Sequence, residues 1–192
     1  MREETKAERE AQIATAAYEV LAEKGYGGAS MLLIAKRANA SNETLYRWYG
    51  DKAGLFRRLI TLNAAFVRDL LIDAANADVP PLATLRALGP ALLGLLTSDR
   101  AIALNRAAAA DPSGVLGATL AEEGRGTIAP LIGDLLQRLD PTSGEDALGL
   151  YLDLLVGDLQ IRRVIGAAPV LTDEACNRRA ATALERYLKL TS

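Results

Sequence analysis

Residues 35–52 read AKRANASNETLYRWYGDK, and this stretch decides the fold of the chain. It is typical of two short helices joined by a tight turn, which needs a small residue in the first helix, a turn residue and an apolar anchor in the second. Ala35, Asn39 and Leu45 fill these three places. Asparagine tolerates positive φ, so we expect Asn39 to close the first helix. Ser41 is a good cap for the second helix.

The second helix of the pair, about residues 42–49, has the composition of a helix that reads DNA. Arg47 is placed to bind guanine or phosphate, whereas Tyr46 and Trp48 suit either DNA contact or packing. Lys52 lies at the positive end of the next helix, which is unfavourable unless a phosphate docks there. Lys36 and Arg37 fit either a solvated surface or contact with the DNA backbone.

The stretch from Ile13 to Leu59 resembles the N-terminal domain of the TetR (tetracycline-repressor) family of transcriptional regulators. The resemblance covers roughly the first third of the chain and has a density that is rarely accidental. It implies an all-helical ligand-binding and dimerisation domain beyond this region. The matching residues are Ile13, Ala16, Ala17, Gly25, Tyr26, Ser30, Ile34, Ala35, Ala38, Ser41, Thr44, Leu45, Tyr46, Tyr49, Lys52, Leu55 and Phe56.

Positions 42–44 match family positions that face the major groove. Glu43 departs from the family pattern, in which a small residue is frequent here. A carboxylate repels phosphates but can accept a hydrogen bond from cytosine N4, so this departure bears on the target sequence rather than on DNA binding itself. The predicted DNA-binding residues are Ser30, Lys36, Arg37, Ser41, Asn42, Glu43, Thr44, Tyr46, Arg47, Trp48 and Lys52.

The composition argues against an enzyme and against a bound metal or cofactor. The 192 residues include no histidine and a single cysteine, so a His-based triad or zinc site cannot be built. No Walker loop or Gly-x-Gly-x-x-Gly phosphate cradle is present. We therefore predict no enzymatic activity and no cofactor. Cys176 lies on an apolar helical stripe and is expected to be buried.

The charge distribution and the absence of long apolar runs bear on partners and location. Residues 1–60 hold 10 Lys or Arg and 8 Asp or Glu (net +2), and residues 61–192 have a net charge of −4. The N-terminal excess is small, so DNA binding depends on where the cations lie. No apolar run approaches the ~20 residues of a membrane span, and the chain begins with charged residues. We expect no membrane association and a cytoplasmic protein.

Helical periodicity runs along the whole chain, which predicts an all-α fold of about nine helices. We assign residues 1–54 to a helix-turn-helix DNA-binding domain and residues 55–192 to a helical effector-binding and dimerisation domain. The first helix is predicted over about residues 6–24, with Ile13, Ala17, Val20 and Leu21 on one apolar face and its end before Gly25. A long connecting helix is predicted over about residues 52–76. Breaker residues then predict helices at about 81–97, 99–110, 113–139, 144–166 and 172–190.

Two apolar stripes near the C-terminus fit either an ordinary core or a dimer interface. They consist of Leu152, Leu155 and Leu159, and of Ala180, Leu184 and Leu188 together with neighbouring apolar residues. The family resemblance implies a dimer formed through these two helices. Few aromatic residues lie beyond residue 60, so an apolar effector is predicted, with Phe66 and Tyr151 as candidate contacts. Gly124, Arg125 and Gly126 form either a turn or a pocket wall.

Two functions from different classes remain open at this point. The first is a homodimeric, ligand-responsive transcriptional regulator, in the form of a repressor that binds a palindromic DNA operator and is released by a small apolar effector. The alternative is a helical small-molecule-binding or scaffold protein that no longer recognises DNA, for which Glu43 and the weak positive charge are the reasons.

Overall fold

The chain is entirely helical over the residues that the computed structural model describes, 5–144 and 146–191. The prediction of an all-α fold is confirmed. The α-helices are α1 (Lys6–Gly28), α2 (Met31–Arg37), α3 (Asn42–Tyr49), α4 (Lys52–Asn76), α5 (Pro81–Thr97), α6 (Asp99–Ala109), α7 (Val115–Leu120), α8 (Gly126–Leu139), α9 (Ala147–Leu155), α10 (Leu159–Val164) and α11 (Asp173–Thr191), and a π turn at Ala121–Arg125 joins α7 to α8.

The N-terminal domain is built on the apolar face of α1. Thr5 and Glu8 form a reciprocal capping box at its start, which satisfies backbone N–H groups that the first turn leaves free. Ile13, Ala17 and Val20 are completely buried against α2, α3 and the first half of α4. The predicted apolar face of this helix is therefore confirmed. The regular part of α1 ends before Gly25, as predicted, because Gly25 has the non-helical angles φ 64° and ψ 178°, and one further turn after it reaches Gly28.

Helix α4 belongs to two hydrophobic cores. Leu55 and Leu59 are buried in the N-terminal core, whereas Val67 and Leu71 are buried in the C-terminal core. The N-terminal core also takes in Leu104 and Leu116 from α6 and α7. The two cores therefore meet on a shared helix, and the boundary between residues 54 and 55 stays a prediction.

The C-terminal core is centred on the contact between α5 and α11. The rings of Tyr151 and Tyr187 lie edge to face with centroids 5.6 Å apart, and both side chains are almost fully buried. Gly89 of α5 lies so close to α11 that a Cβ atom added there would approach the Cβ of Ala180 to 2.8 Å. This glycine is needed because the two helix backbones are too close for a side chain between them.

Eleven α-helices are found among the described residues where about nine were predicted, because two predicted helices, over 113–139 and 144–166, are each divided in two. The segment over 144–166 is broken. Its two pieces, α9 and α10, are separated at Gly157, which has φ 52°. The segment predicted over 113–139 stays helical but contains the π turn, where the backbone widens before α8. Within the described residues no single helix is long and apolar enough to cross a bilayer; α5 and α6 meet that test only together, as a pair bent by 51°.

Substitution of Gly89 by alanine tests the close approach of α5 and α11. We expect the free energy of unfolding to fall by about 1–3 kcal/mol because the added methyl group overpacks the contact with Ala180. Urea unfolding measures this change. Gly94→Ala in the same helix is the matched control, since its Cβ meets nothing within 4 Å, and it should raise stability by about 0.5–1 kcal/mol. Equal stability of the two variants would contradict the packing argument.

The ion pair between α1 and α4 should make stability depend on pH. Arg58 donates to both carboxylate oxygens of Glu10, at 2.6 and 2.7 Å, and this hydrogen bonding holds the pKa of Glu10 below its ordinary value of 4.5. A lowered pKa in the folded state stabilises the fold above the ordinary pKa and ceases to do so as pH falls through the folded value.

We therefore expect Glu10→Gln to lower the free energy of unfolding at pH 7 by about 0.5–1 kcal/mol. The difference from the parent protein should shrink as pH falls below 4.5 and through the lowered pKa of Glu10, because the carboxyl group then becomes protonated in the folded state as well. Urea titrations of both proteins over a series of pH values from 7 downward measure it. A difference that does not change with pH would mean that Glu10 acts through packing and not through its charge.

Candidate DNA-binding surface and effector cavity

The turn between α2 and α3 has the geometry that its residues predict. Asn39 adopts φ 49°, in the left-handed region that asparagine tolerates. The hydroxyl of Ser41 accepts a hydrogen bond from the backbone N–H of Thr44 at 3.0 Å and so caps α3. Both expectations are confirmed. Together they set the angle at which α3 leaves the domain.

Helix α3 is held from below by its apolar residues and at its end by α4. Leu45 is completely buried and Tyr49 is partly buried in the N-terminal core. Gly54, in the first turn of α4, faces the Tyr49 carbonyl so closely that a Cβ atom there would clash with it. The end of α3 therefore rests directly on the backbone of α4, and the two helices form a rigid corner.

The outer face of α3 carries three exposed polar side chains, those of Glu43, Tyr46 and Arg47. Within the described part of the chain, none of the three has a side-chain hydrogen bond or an ion pair with another protein group. Tyr46 is 50% exposed although it is a large, partly apolar residue. Lys36 of α2 is also exposed and without such a partner. The polar groups on this face are thus available to an external ligand.

Several other predicted DNA-binding residues have roles within the domain. Ser30 caps α2 by accepting from the Leu33 N–H at 3.2 Å. Thr44 shares a hydrogen bond of 2.8 Å with the Ser41 hydroxyl. Trp48 is half-buried, packs against the N-terminal core and lies under the ammonium group of Lys6 at 5.6 Å. Packing therefore accounts for Trp48, and a DNA contact by these residues stays a prediction.

Lys52 was expected to need a phosphate to offset its unfavourable position at the start of α4, and this expectation is wrong. Its ammonium group donates to the carbonyl oxygens of Tyr26 and Ala29, at 3.0 and 3.1 Å, and lies 3.9 Å from the centre of the Tyr26 ring. The C-terminal end of α1 thus supplies the negative charge that offsets the unfavourable position at the start of α4. Lys52 needs no phosphate to explain it.

Two further predicted residues are less available to DNA than the sequence suggests, one because it is paired within the domain and one because it is half-buried. The guanidinium group of Arg37 donates to both carboxylate oxygens of Glu23 at 2.7 Å and to Glu19 at 3.3 Å. This bonding lowers the pKa of Glu23, and it offsets the charge that a DNA backbone contact would use. Asn42 is half-buried, with a buried Oδ1 atom that has no hydrogen-bond partner. Its side chain turns partly toward the protein.

A cavity of about 490 Å³ lies in the C-terminal domain beside α4. Its walls are mostly aliphatic, with no aromatic residue, and a few polar side chains lie among them. The residues that define it include Ile60, Asn63, Ala64, Leu92, Leu95, Leu96, Leu104, Asn105, Leu120, Gly124, Arg125, Ile128, Ala129, Ile132, Leu152, Asp153, Val156 and Gln160. An apolar molecule would be desolvated by these walls and could meet a polar group at an edge.

The two candidate ligand contacts taken from the sequence, Phe66 and Tyr151, do not line this cavity. Phe66 is 70% exposed and lines a separate hollow together with Val67 and Cys176, and Tyr151 is buried against Tyr187 in the core. Sequence reasoning selected them because they are aromatic, whereas the cavity is aliphatic. Gly124 is a wall of the cavity, and it does not lie in a turn that breaks the helix, since the π turn continues the helical backbone from α7 into α8.

The π turn connects the cavity to α4. A Cβ atom at Gly124 would lie 3.6 Å from the Ile60 side chain, and Ile60 itself lines the cavity. The neighbouring Glu123 pairs with Arg57 of α4 at 3.8 Å. A change in the shape of the cavity can therefore act on α4 within one helical turn of the N-terminal core.

Three of the six predicted dimer-interface residues need correction. Leu155, Ala180 and Leu184 are buried in the core of their own subunit, because their helices pack on α5 and on each other. Leu152 lines the cavity, while Leu159 and Leu188 are half-buried. Apolar side chains that are exposed near the C-terminus are instead Ile161, Ile165, Val170 and Leu190, at 51–68%. The two apolar stripes near the C-terminus therefore belong mainly to the core of a single subunit.

The titratable groups in the described residues give no indication of a metal or redox centre. No group of three or more Asp, Glu, Cys or His side chains is placed to hold a metal ion in the described part of the chain. Cys176 is buried as expected, and burial raises the pKa of its thiol.

The N-terminal sequence and the fold of the chain are both similar to those of bacterial transcriptional regulators. Residues 13–59 match the sequence model of the family described as "Bacterial regulatory proteins, tetR family". A TetR-family transcriptional regulator from Mesorhizobium loti MAFF303099 has 24% identity and a TM-score of 0.76, over 97% of this chain and 98% of that one. A TetR transcriptional regulator from Agrobacterium tumefaciens has 27% identity and a TM-score of 0.71, over 95% and 93%.

The fold alone is shared with a more distant protein, the fatty acid degradation regulator FadR from Bacillus halodurans. That structure has 17% identity and a TM-score of 0.74, over 93% of this chain and 97% of that one. No curated protein sequence matches the chain significantly.

Proposed function

We propose that this protein is a homodimeric, ligand-responsive repressor of transcription, because residues 13–59 match the sequence model of the tetR family and the fold is similar to that of TetR-family regulators. The observation that carries the proposal is the outer face of α3, where Glu43, Tyr46 and Arg47 are exposed and have no hydrogen-bond or ion-pair partner for their side chains among residues 5–144 and 146–191. A helix with such a face, fixed from below by Leu45, is suited to enter a major groove.

A two-fold dimer of this chain requires an operator with two similar half-sites. The two α3 helices would enter successive major grooves on one side of the duplex, with half-sites about 34–36 Å apart or a multiple of that distance. The exposed apolar side chains of α10 and the segment after it, Ile161, Ile165 and Val170, support a subunit contact in the C-terminal region. Burial of such residues between two copies would remove apolar area from water.

The effector in this proposal is a small, largely aliphatic molecule that occupies the cavity beside α4. The aliphatic lining and the volume of about 490 Å³ support this class of ligand. Release from DNA requires that the effector bind more tightly to a state in which the two α3 helices no longer fit the half-site spacing. The π turn, through Gly124 against Ile60 and Glu123 against Arg57, is the proposed route by which the cavity acts on α4.

Gel-shift titration with the DNA that flanks the gene of this protein tests the DNA-binding role. We expect a shift that random DNA competes poorly. Arg47→Ala should remove most of the preference, at about 1–3 kcal/mol for each half-site, because a bidentate contact to guanine is lost. Lys36→Ala should weaken specific and random binding alike and lower the slope of log K against log salt by about 2 per dimer.

Arg86→Ala is the control for both variants, since Arg86 is an exposed cation on α5, outside the N-terminal domain. It should leave the gel shift unchanged. A parent protein that binds the flanking DNA no better than random DNA would refute the repressor and favour the alternative, a helical small-molecule-binding protein.

The cavity can be tested with the uncharged apolar dye N-phenyl-1-naphthylamine, whose fluorescence rises in an apolar site. We expect saturable binding by the parent protein, at one dye per subunit. Ala129→Trp, which fills the cavity from α8, should weaken dye binding at least about tenfold, since each 1.4 kcal/mol of lost contact is a factor of ten. Ala83→Trp, at an exposed position of α5, is the control. Equal affinity of both variants would place the dye elsewhere.

A further inference from the structure

Glu43 carries a negative charge on the proposed DNA-binding face, where the phosphates of DNA favour a positive one. It is exposed at the start of α3, where an approaching duplex brings a dense row of phosphate charges. A carboxylate there lowers the affinity for any DNA. The simplest structural reason for an acidic residue at this point is the positive end of the helix dipole, beside which a carboxylate is stabilising.

The hydrogen bonding at the start of α3 leaves Glu43 without a capping role. Ser41 already caps the helix through the Thr44 N–H, and Thr44 occupies the third helical position from which an acidic side chain reaches back to the cap residue. Glu8 holds that third position in α1, where it does accept from the backbone and hydroxyl of Thr5. The same chain thus uses glutamate as a cap in one helix and not in the other.

Glu43 also does not form the ion pair that its position in α3 allows. Arg47 lies four residues further along α3, in the order that favours an ion pair between glutamate and arginine. Pairs with this spacing form elsewhere in the chain, between Glu174 and Arg178 and between Glu185 and Lys189. Neither Glu43 nor Arg47 has an ion-pair partner among the described residues. Two opposite charges therefore point outward from one face, one helical turn apart.

We propose that Glu43 and Arg47 determine the operator sequence by reading two G·C base pairs in each half-site, Glu43 through the amino group of a cytosine and Arg47 through the acceptor edge of a guanine. This inference rests on the proposed DNA-binding function. A carboxylate only accepts hydrogen bonds, so cytosine N4 satisfies it, whereas the acceptor groups of guanine and thymine repel it. Adenine offers one amino donor but places the N7 acceptor beside it.

The spacing of the two contacts follows from the helix. Four residues advance about 6 Å along α3, at 1.5 Å per residue, and successive base pairs are separated by about 3.4 Å. The two G·C pairs should therefore lie about two base steps apart. The loss of general affinity that Glu43 causes is offset at the correct site by the cytosine contact and not offset elsewhere, which raises the ratio of specific to random binding.

Selection of binding sites from a randomised DNA library tests the inference. We expect the parent protein to select half-sites with a cytosine at one position and a guanine about two steps away. Glu43→Gln should change the preference at the cytosine position to adenine, because glutamine forms a bidentate contact with adenine N6 and N7. Replacement of that cytosine should weaken binding by the parent protein about 5- to 150-fold, the usual range for one base contact.

Glu43→Ala is the second variant, and it should lose the preference at that position while binding random DNA more tightly than the parent protein. Asp134→Asn is the matched control, because it removes one exposed carboxylate from α8, outside the N-terminal domain, and should change neither preference nor random binding. A helix-stabilising role alone would lower the melting temperature of both Glu43 variants and leave the selected sequence unchanged, which would overturn the inference.

The failure of the inference differs from the failure of the proposed function. If the parent protein and Glu43→Gln select the same half-site, or if the selected site contains no cytosine that responds to Glu43, DNA binding stands and the reading of the bases is refuted. If the parent protein selects no sequence over random DNA, the proposed function is refuted, and this inference with it.

Discussion

The burial of one long helix in two hydrophobic cores is the constraint on which the rest of the structure depends. Leu55 and Leu59 anchor the first half of α4 beneath the helix-turn-helix, and Val67 and Leu71 anchor its second half beneath α5 and α8. Closely packed cores transmit displacement because they have little free volume to absorb it. The same helix supplies Ile60 and Ala64 to the cavity wall, so the two ends of the molecule share a rigid element.

Six charged side chains of the N-terminal domain fall into two groups, one paired within the domain and one without such partners among the described residues. Arg37, Lys52 and Arg58 are held by glutamates or backbone carbonyls that lie far away in the sequence, and they fasten α1 to α2 and α4. Lys36, Glu43 and Arg47 have no such partner within the described residues. The first group makes the domain rigid enough to present α3 at a fixed angle. The second group leaves charged side chains on the surface of α2 and α3 that an external ligand can contact.

The C-terminal domain combines close packing on one side with an open interior on the other. Gly89 lets α5 approach α11 to a distance that excludes any side chain, and the tyrosine pair of Tyr151 and Tyr187 fills the space beside it. The cavity lies where α8 begins after the π turn and where α9 ends before Gly157. Short π segments within helices are frequent at functional sites.

Local chemistry made the helices and their caps predictable from the sequence. The left-handed turn at Asn39, the cap at Ser41, the buried anchor Leu45 and the exposed Arg47 all follow from residues within one or two turns of each other. The apolar periodicity of α1 likewise predicted its buried face, because each helical residue has a fixed direction relative to its neighbours. Periodicity continued through Gly157, however, and so did not show the break between α9 and α10.

Only the tertiary structure decided which of the predicted residues are used inside the subunit. Lys52 binds carbonyl groups of residues 26 and 29, Arg37 binds Glu19 and Glu23, and Leu155 and Leu184 meet their own core instead of a second copy. A helical pattern shows that one face of a helix is apolar or charged. It does not show which other segment of the chain, or which second molecule, packs against that face. The sequence by itself determined most of the helices, their caps and the exposed polar face of α3, whereas the partners of each face depend on contacts between distant segments that exist only after the chain has folded.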